Sequence, residues 1–194
     1  MSNNIVSLDS LDIKFADFIS EITKLDQSKV LVSFNPKGQK FGSYGENICY
    51  VKFYNENDER QMYKQRTTKY DHESETNTIT QSTMRTLMLH LVLYGPNSGE
   101  LAALINESLY TNKGKDFLYS NNLSLIPDRS SFPFKSYEEI GGRWWQREDV
   151  KLYFYNSISI EEVVGTISEL DITIISVRDF LCNQSLKIFD TTFF

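Results

Sequence analysis

The chain has 194 residues, 40% hydrophobic and 24% charged, with 20 Lys and Arg against 26 Asp and Glu and a net charge of −6. This is the composition of a folded chain with one core, which excludes disorder throughout. The acidic balance argues against a protein built to grip nucleic-acid phosphates, and no apolar run approaches the roughly 18 to 20 residues of a membrane span.

The start, Met1 to Ile5, lacks the basic and apolar regions of a signal peptide, so neither secretion by that route nor membrane insertion is expected. Cys49 and Cys182 are the only cysteines, too few and too far apart for a disulfide framework or a zinc set. They read as reduced, packed thiols.

In chain order, Leu8, Leu11, Phe15, Phe18, Ile19 and Ile22 recur at steps of three and four, which predicts an amphipathic helix over Ser7 to Thr23. Lys29 to Asn35 is short, β-branched and closed by Pro36, as a strand would be. A glycine-bearing loop from Pro36 to Gly45 leads to a second strand, Ile48 to Asn55. Glu59 to Tyr70 and Thr78 to Tyr94 form a long hairpin around the polar turn 71–77. Its first arm and the start of its second are polar on both faces, so they bury no core face of their own and are expected to project. Further on, Leu87, Leu89, Leu91 and Leu93 share one face and Met88, His90 and Val92 the other, as in a strand entering a sheet.

Tyr94-Gly95-Pro96-Asn97 breaks that strand. Asn97, with Glu100 three positions on, has the spacing of a helix cap ahead of Leu101, Leu104, Ile105 and Leu109. Thr111 to Ser120 reads as partly helical at best, Leu123 to Ile126 as a short strand, and the stretch with Pro127 and Pro133 as a loop. Arg143 to Asn156 sets Val150, Leu152 and Phe154 against Lys151, Tyr153 and Tyr155, a strand. After Ser157 to Val164, Gly165 to Ser176 alternates again and predicts an antiparallel partner with one wet face.

Catalytic patterns are thin. His72 lies on a polar turn, where adjacent Asp71 and Glu73 rarely converge on one ion, and His90 lies opposite a leucine face, where packing or an interface contact is expected. No Gly-x-Ser-x-Gly elbow, thiol-enzyme signature or phosphate loop is present: Gly114-Lys115 is followed by Asp116. The neighbours Glu138-Glu139 and Glu161-Glu162 are expected to point apart. No enzyme, cofactor or metal site is implied. Trp144 and Trp145 face opposite ways on a strand, so one ring goes to the core and the other outward, suited to a protein contact. Arg60, Lys64, Arg66 and Lys69 make a basic stretch, whereas Ser157 to Phe194 carries six acidic and two basic residues. Opposite charge at separate places suits head-to-tail association of copies, and solvated faces explain it about as well.

The order of these pieces resembles the phage neck or tail terminator family. The match comprises a polar strand with Tyr63-Lys64-Gln65-Arg66, then Tyr94-Gly95-Pro96-Asn97 running into Glu100-Leu101-Ala102. It continues with Arg143 to Val150, Leu152-Tyr153-Phe154 and, after a gap, Ile167 to Thr173, so that it covers residues 8 to 176. The chain departs from the pattern in a longer hairpin around Asp71 to Gln81 and an added tail from Val177.

The resemblance implies an α+β fold: an antiparallel sheet flanked by an N-terminal and a central helix, with a projecting hairpin arm over 58–90 inside a domain of residues 1–176, and a C-terminal extension over 177–194. It implies a non-enzymatic virion protein, assembled in the host cytoplasm. Six copies would form a ring at the head–tail junction, between connector or head-completion proteins and the tail tube, with DNA passing through unbound. On this reading Arg60, Tyr63, Lys64 and Arg66 make subunit contacts and Tyr94, Gly95, Pro96 and Asn97 set the strand-to-helix turn. Trp145, Phe193 and Phe194 dock partners, since Phe189, Phe193 and Phe194 are apolar groups a monomer rarely leaves uncovered. The alternatives are a phage accessory protein that binds a host protein through the polar hairpin, and a single-strand nucleic-acid binder using Trp144 or Trp145.

Overall fold

A computed structural model describes residues 3–4, 6–33, 42–130 and 133–165. Helix α1 (Leu8–Thr23) begins where the Ser7 side chain accepts the Ser10 N–H at 3.2 Å, and it turns out of the helix at Lys24, whose φ is 61°. Strands β1 (Asn3–Asn4), β2 (Val30–Val32), β3 (Ile48–Glu56), β4 (Lys64–Asp71), β5 (Thr76–Tyr94), β6 (Leu123–Leu125), β7 (Phe134–Ile140) and β8 (Arg143–Gly165) form one sheet. Helices α2 (Ser98–Ser108) and α3 (Asn112–Ser120) separate β5 from β6. The fold is α+β, with every strand pair antiparallel except β2 with β3.

Two long strands organise everything else. β5 and β8 pair without interruption from Thr76 opposite Gly165 to Tyr94 opposite Arg147. β3 lies against the C-terminal half of β5 and β4 against its N-terminal half, both on the side away from β8. β7, β6 and β1 follow one another along the far side of β8.

The main core lies on one face of this sheet. Leu87, Leu89, Leu91 and Leu93 of β5, Val150, Leu152 and Phe154 of β8, and Cys49, Val51 and Phe53 of β3 are all buried, beneath Leu11, Phe15, Phe18 and Ile19 of α1 and Ala102 and Ile105 of α2. Phe15 is the hub, edge-on to Phe53, Phe117 and Phe154 at centroid distances of 5.0, 4.9 and 5.7 Å. Buried Asp12 joins the layers by accepting the Phe53 N–H and the Lys52 Nζ, each at 2.7 Å. Arg85 and Asn156, opposite each other in register, close the end of this core: Arg85 Nε donates to Asn156 Oδ1 at 2.8 Å and its Nη2 to the Val6 carbonyl at 2.7 Å.

Several elements differ from what the sequence predicts. α3 is a full helix: Thr111 caps it by accepting the Gly114 N–H at 3.2 Å, and its Phe117 and Leu118 pack on the core. Its Asn and Gly are poor helix formers, overridden here by packing. Gly114 is required at this contact, because a Cβ would stand 2.2 Å from the Ser108 carbonyl oxygen. β7 occupies part of the stretch read as loop, paired with β8 across the Gly141-Gly142 turn. β8 runs on through Ser157 to Val164, a stretch the residue pattern alone leaves unassigned. Residues 59–62 form a 3-10 turn before β4, and the hairpin turn shortens to 72–75. The antiparallel strand over 165–176, the packing of Cys182 and the extension 177–194 lie outside the described residues, Gly165 excepted.

The hairpin is the first two strands of a ribbon of three, because β8 continues alongside β5 as far as Gly165. Every residue of β4 is exposed, and no residue of β5 from Thr76 to Arg85 or of β8 from Ser157 to Gly165 is buried.

Candidate assembly surfaces

The face of the sheet away from α1 and α2 carries a second, smaller cluster of Ile48, Tyr50, Tyr94 and Trp145. Beside it three strands place five polar groups in a chain. Arg147 Nε and Nη2 grip the two oxygens of Asp149 at 2.7 and 2.8 Å, and Nη1 donates to Glu138 Oε2 at 2.9 Å. The same Glu138 oxygen accepts the Tyr94 O–H at 2.5 Å, and His90 Nε2 lies 2.9 Å from Asp149 Oδ1.

The electrostatics follow from this wiring. The Tyr94 hydrogen bond, helped by Arg147, holds the Glu138 carboxyl below its ordinary range. Burial, the largest single influence on Asp149, pushes it upward, but the hydrogen bonds from Arg147 and His90 outweigh it and leave this carboxyl low. The Arg147 guanidinium is correspondingly held more firmly protonated, chiefly by Asp149. Burial and then Glu138 raise the Tyr94 hydroxyl well above its ordinary value, the opposite of what activates a nucleophile. The chain of groups is a register lock across β5, β7 and β8, and the pattern of alternation alone places Arg147 and Asp149 on one face without naming their partners.

The turn residues are fully placed. β5 ends at Tyr94, and Gly95 follows with φ of 116°, so close to the 42–47 loop that a Cβ would meet the Glu46 carbonyl oxygen at 2.5 Å. Asn97 precedes α2 but makes no side-chain cap, so the capping box does not form; instead its own N–H donates to Asn47 Oδ1 at 3.0 Å. The loop has taken the residue that the sequence assigns to the helix.

Of the residues expected at interfaces, Tyr63 is 79% exposed and Lys64 and Arg66 are exposed on β4, with Arg66 opposite Gln81. Arg60 lies in the 3-10 turn before them. The tryptophans divide as a strand requires: Trp145 is 6% exposed, edge-on to Tyr44 and Tyr94, whereas Trp144 is 64% exposed. The ring available to a partner is thus Trp144, which shares its face with exposed Tyr137 on β7. Phe193 and Phe194 lie outside the described residues. His72 stacks edge-on with Tyr70 on the hairpin turn. Among the described residues no three His, Cys, Asp or Glu side chains gather as metal ligands, and no helix is long and apolar enough to cross a membrane.

The chain is thus an α+β domain with polar side chains bound into strand register and a three-stranded ribbon, residues 64–83 and 157–165, in which no residue is buried. The family model described as phage neck terminator protein matches residues 10–178, and the chain belongs to that family, whose members are structural proteins of the phage neck and so of the virion. Comparison with curated proteins gives no match.

Proposed function

We propose that copies of the chain close into a ring, commonly of six, at the junction between phage head and tail, with DNA passing through the lumen. The observation that carries this reading is the family match together with an arm, residues 64–83 and 157–165, in which no described residue is buried. Such an arm buries little apolar surface within its own chain and is positioned to bury more against a neighbour. Arg60, Tyr63, Lys64 and Arg66, at the start of the arm, supply subunit contacts. Trp144, Phe193 and Phe194 serve docking to the connector or head-completion proteins above and the tail tube below. The excess of acid, −6 per chain, suits a conduit wall, since a wall that paired with phosphates would hold the genome back. The role is architectural rather than catalytic, and assembly takes place in the host cytoplasm.

Light scattering on the purified protein, with negative-stain images of the main peak, tests the proposal. A closed ring of mass near six times 22.5 kDa is expected. A chain that stays monomeric and fails to bind isolated tail tubes overturns it. For the docking role, removal of Phe193 and Phe194 is expected to leave heads and tails unjoined; normal particles would remove those residues from the scheme.

A further inference from the structure

The face of the sheet that carries the core does not end where its helices end. In β-structure, residues opposite one another in register share a face, and alternate residues along a strand return to it. Following the register of Leu87, Leu89 and Leu91 past Arg85 into the arm, that face holds Thr83, Gln81, Ile79 and Asn77 of β5. Beside them stand Ile158, Ile160, Glu162 and Val164 of β8, and Lys64, Arg66, Thr68 and Tyr70 of β4. Ile158 and Ile160 thus adjoin on β8 with Ile79 diagonal to Ile160, Val164 and Tyr70 lie beyond Glu162 and Thr68, and Lys64 and Arg66 stand along the β4 edge. The opposite face is Ser, Thr and Gln in its corresponding rows, apart from Lys69, Asp71, Glu161, Val163 and Gly165. Ile160 is 44% and Tyr70 41% exposed, and Ile79, Ile158 and Val164 are half-buried. The sequence hid this face, because the first two strands contribute only Tyr70 and Ile79 and the other apolar residues arrive on the third.

The same chain exposes a helical stripe of complementary chemistry. Glu100, Ala103, Leu104 and Glu107 recur at the spacing of one α2 face, all exposed, and Tyr110 continues the stripe at 45% exposure. The opposite side of α2, Ala102 and Ile105, is spent on its own core. The dimensions agree: α2 with 11 residues is about 16 Å long, and the arm from Ile158 to Val164 spans about 20 Å. Three strands at about 4.8 Å spacing are one helix wide, about 10 Å.

We propose that the arm's apolar face packs over the α2 stripe of a second copy of this chain, with Lys64 and Arg66 meeting Glu100 and Glu107, and Ile158 and Ile160 meeting Ala103 and Leu104. This rests on the ring reading and gives it an interface. The contact repeats within the arm what α2 does over the body, a helix laid on the apolar face of the sheet. Its two halves are different surfaces, so it is heterologous and propagates head to tail, and a closing rotation makes it a ring. Apolar area drives the association, and charge selects the partner and the direction.

The test is a charge exchange in the full chain. The double variant Lys64→Glu with Arg66→Glu, and separately Glu100→Lys with Glu107→Lys, are both expected to lose the assembled species at a concentration where the wild-type chain assembles. All four sites are exposed, so circular dichroism and the urea midpoint should remain those of the wild type. Mixing the two double variants matches both contacts of an alternating ring, the arm of each variant facing the α2 of the other, and combining all four changes in one chain likewise restores assembly. A photo-crosslinking residue in place of Ile160 is expected to label the neighbour's peptide spanning 98–110. Assembly that survives both reversals, or a crosslink directed elsewhere on the neighbour, overturns this interface while leaving a ring intact. A wild-type chain that remains monomeric and fails to bind isolated tail tubes overturns the ring and the interface together.

Discussion

Asp12 on α1 and Phe53 on β3 are 41 positions apart, yet the carboxylate of the first accepts the backbone N–H of the second at 2.7 Å with Asp12 wholly buried. β2 covers this edge of β3 only as far as Val51, so a side chain from the helix supplies the acceptor that the next strand residue would otherwise lack. Asp12→Ala leaves that donor unsatisfied and Lys52 without its closest partner. A loss of roughly 1–3 kcal/mol is expected in urea unfolding. Asp12→Asn keeps an acceptor oxygen and should cost less.

Arg147 joins β7 to β8 through Glu138 while gripping Asp149, and both carboxyls titrate lower in the folded chain than in the unfolded one. The folded state then holds fewer protons as pH falls below the ordinary values of 4.5 for glutamate and 3.8 for aspartate. Their contribution is complete above that range and is lost on acidification through it. Arg147→Met should lower stability by roughly 1–3 kcal/mol near neutral pH. The gap between variant and wild-type urea midpoints should narrow as pH is taken from about 6 to about 3.

The adjacent tryptophans should respond in opposite ways. Trp145 is buried on Tyr94, and its replacement by Ala is expected to cost about 3 kcal/mol, visible as a lower thermal midpoint. Trp144 is 64% exposed, so Trp144→Ala should stay within about 0.5 kcal/mol of wild type. If Trp144 docks a partner, its loss appears only in head–tail joining, measured as infectious particles per particle assembled.

Cys49 has no exposed surface, and burial pushes its thiol up to about 12. Thiolate is the reactive form, so the native chain should resist iodoacetamide at Cys49 for hours near neutral pH and react within minutes in urea. Mass spectrometry of the peptide containing Cys49 reads the difference. Rapid labelling of the native chain would show that the α1–β3 contact opens readily.

The elements with a strong period were legible from the residues. The leucines at 87, 89, 91 and 93, and the Val150, Leu152 and Phe154 set, face the core as their alternation requires, and the stripe from Leu11 to Ile19 settles on them as α1. The order of motifs from Tyr63 to Phe154 carried the family, which the match over residues 10–178 shows. α3 and β7 were not legible, because an Asn-Lys-Gly-Lys start and a largely polar Lys-Ser-Tyr-Glu-Glu strand take their structure from neighbours rather than from propensity.

Fold class and core-facing residues were readable from patterns local to each segment, and the family from the order of motifs along the chain. Tertiary structure alone decided which groups meet. It placed Asp12 against Phe53, Arg147 between Glu138 and Asp149, and Asn47 as acceptor of the Asn97 N–H, the role a capping box would give to Glu100. It also brought Ile158 and Ile160 onto the same face as Ile79, turning a polar hairpin into an amphipathic ribbon. Periodicity fixes the face of each strand but not its register or its neighbour, and a binding surface made from three strands exists only once both are set.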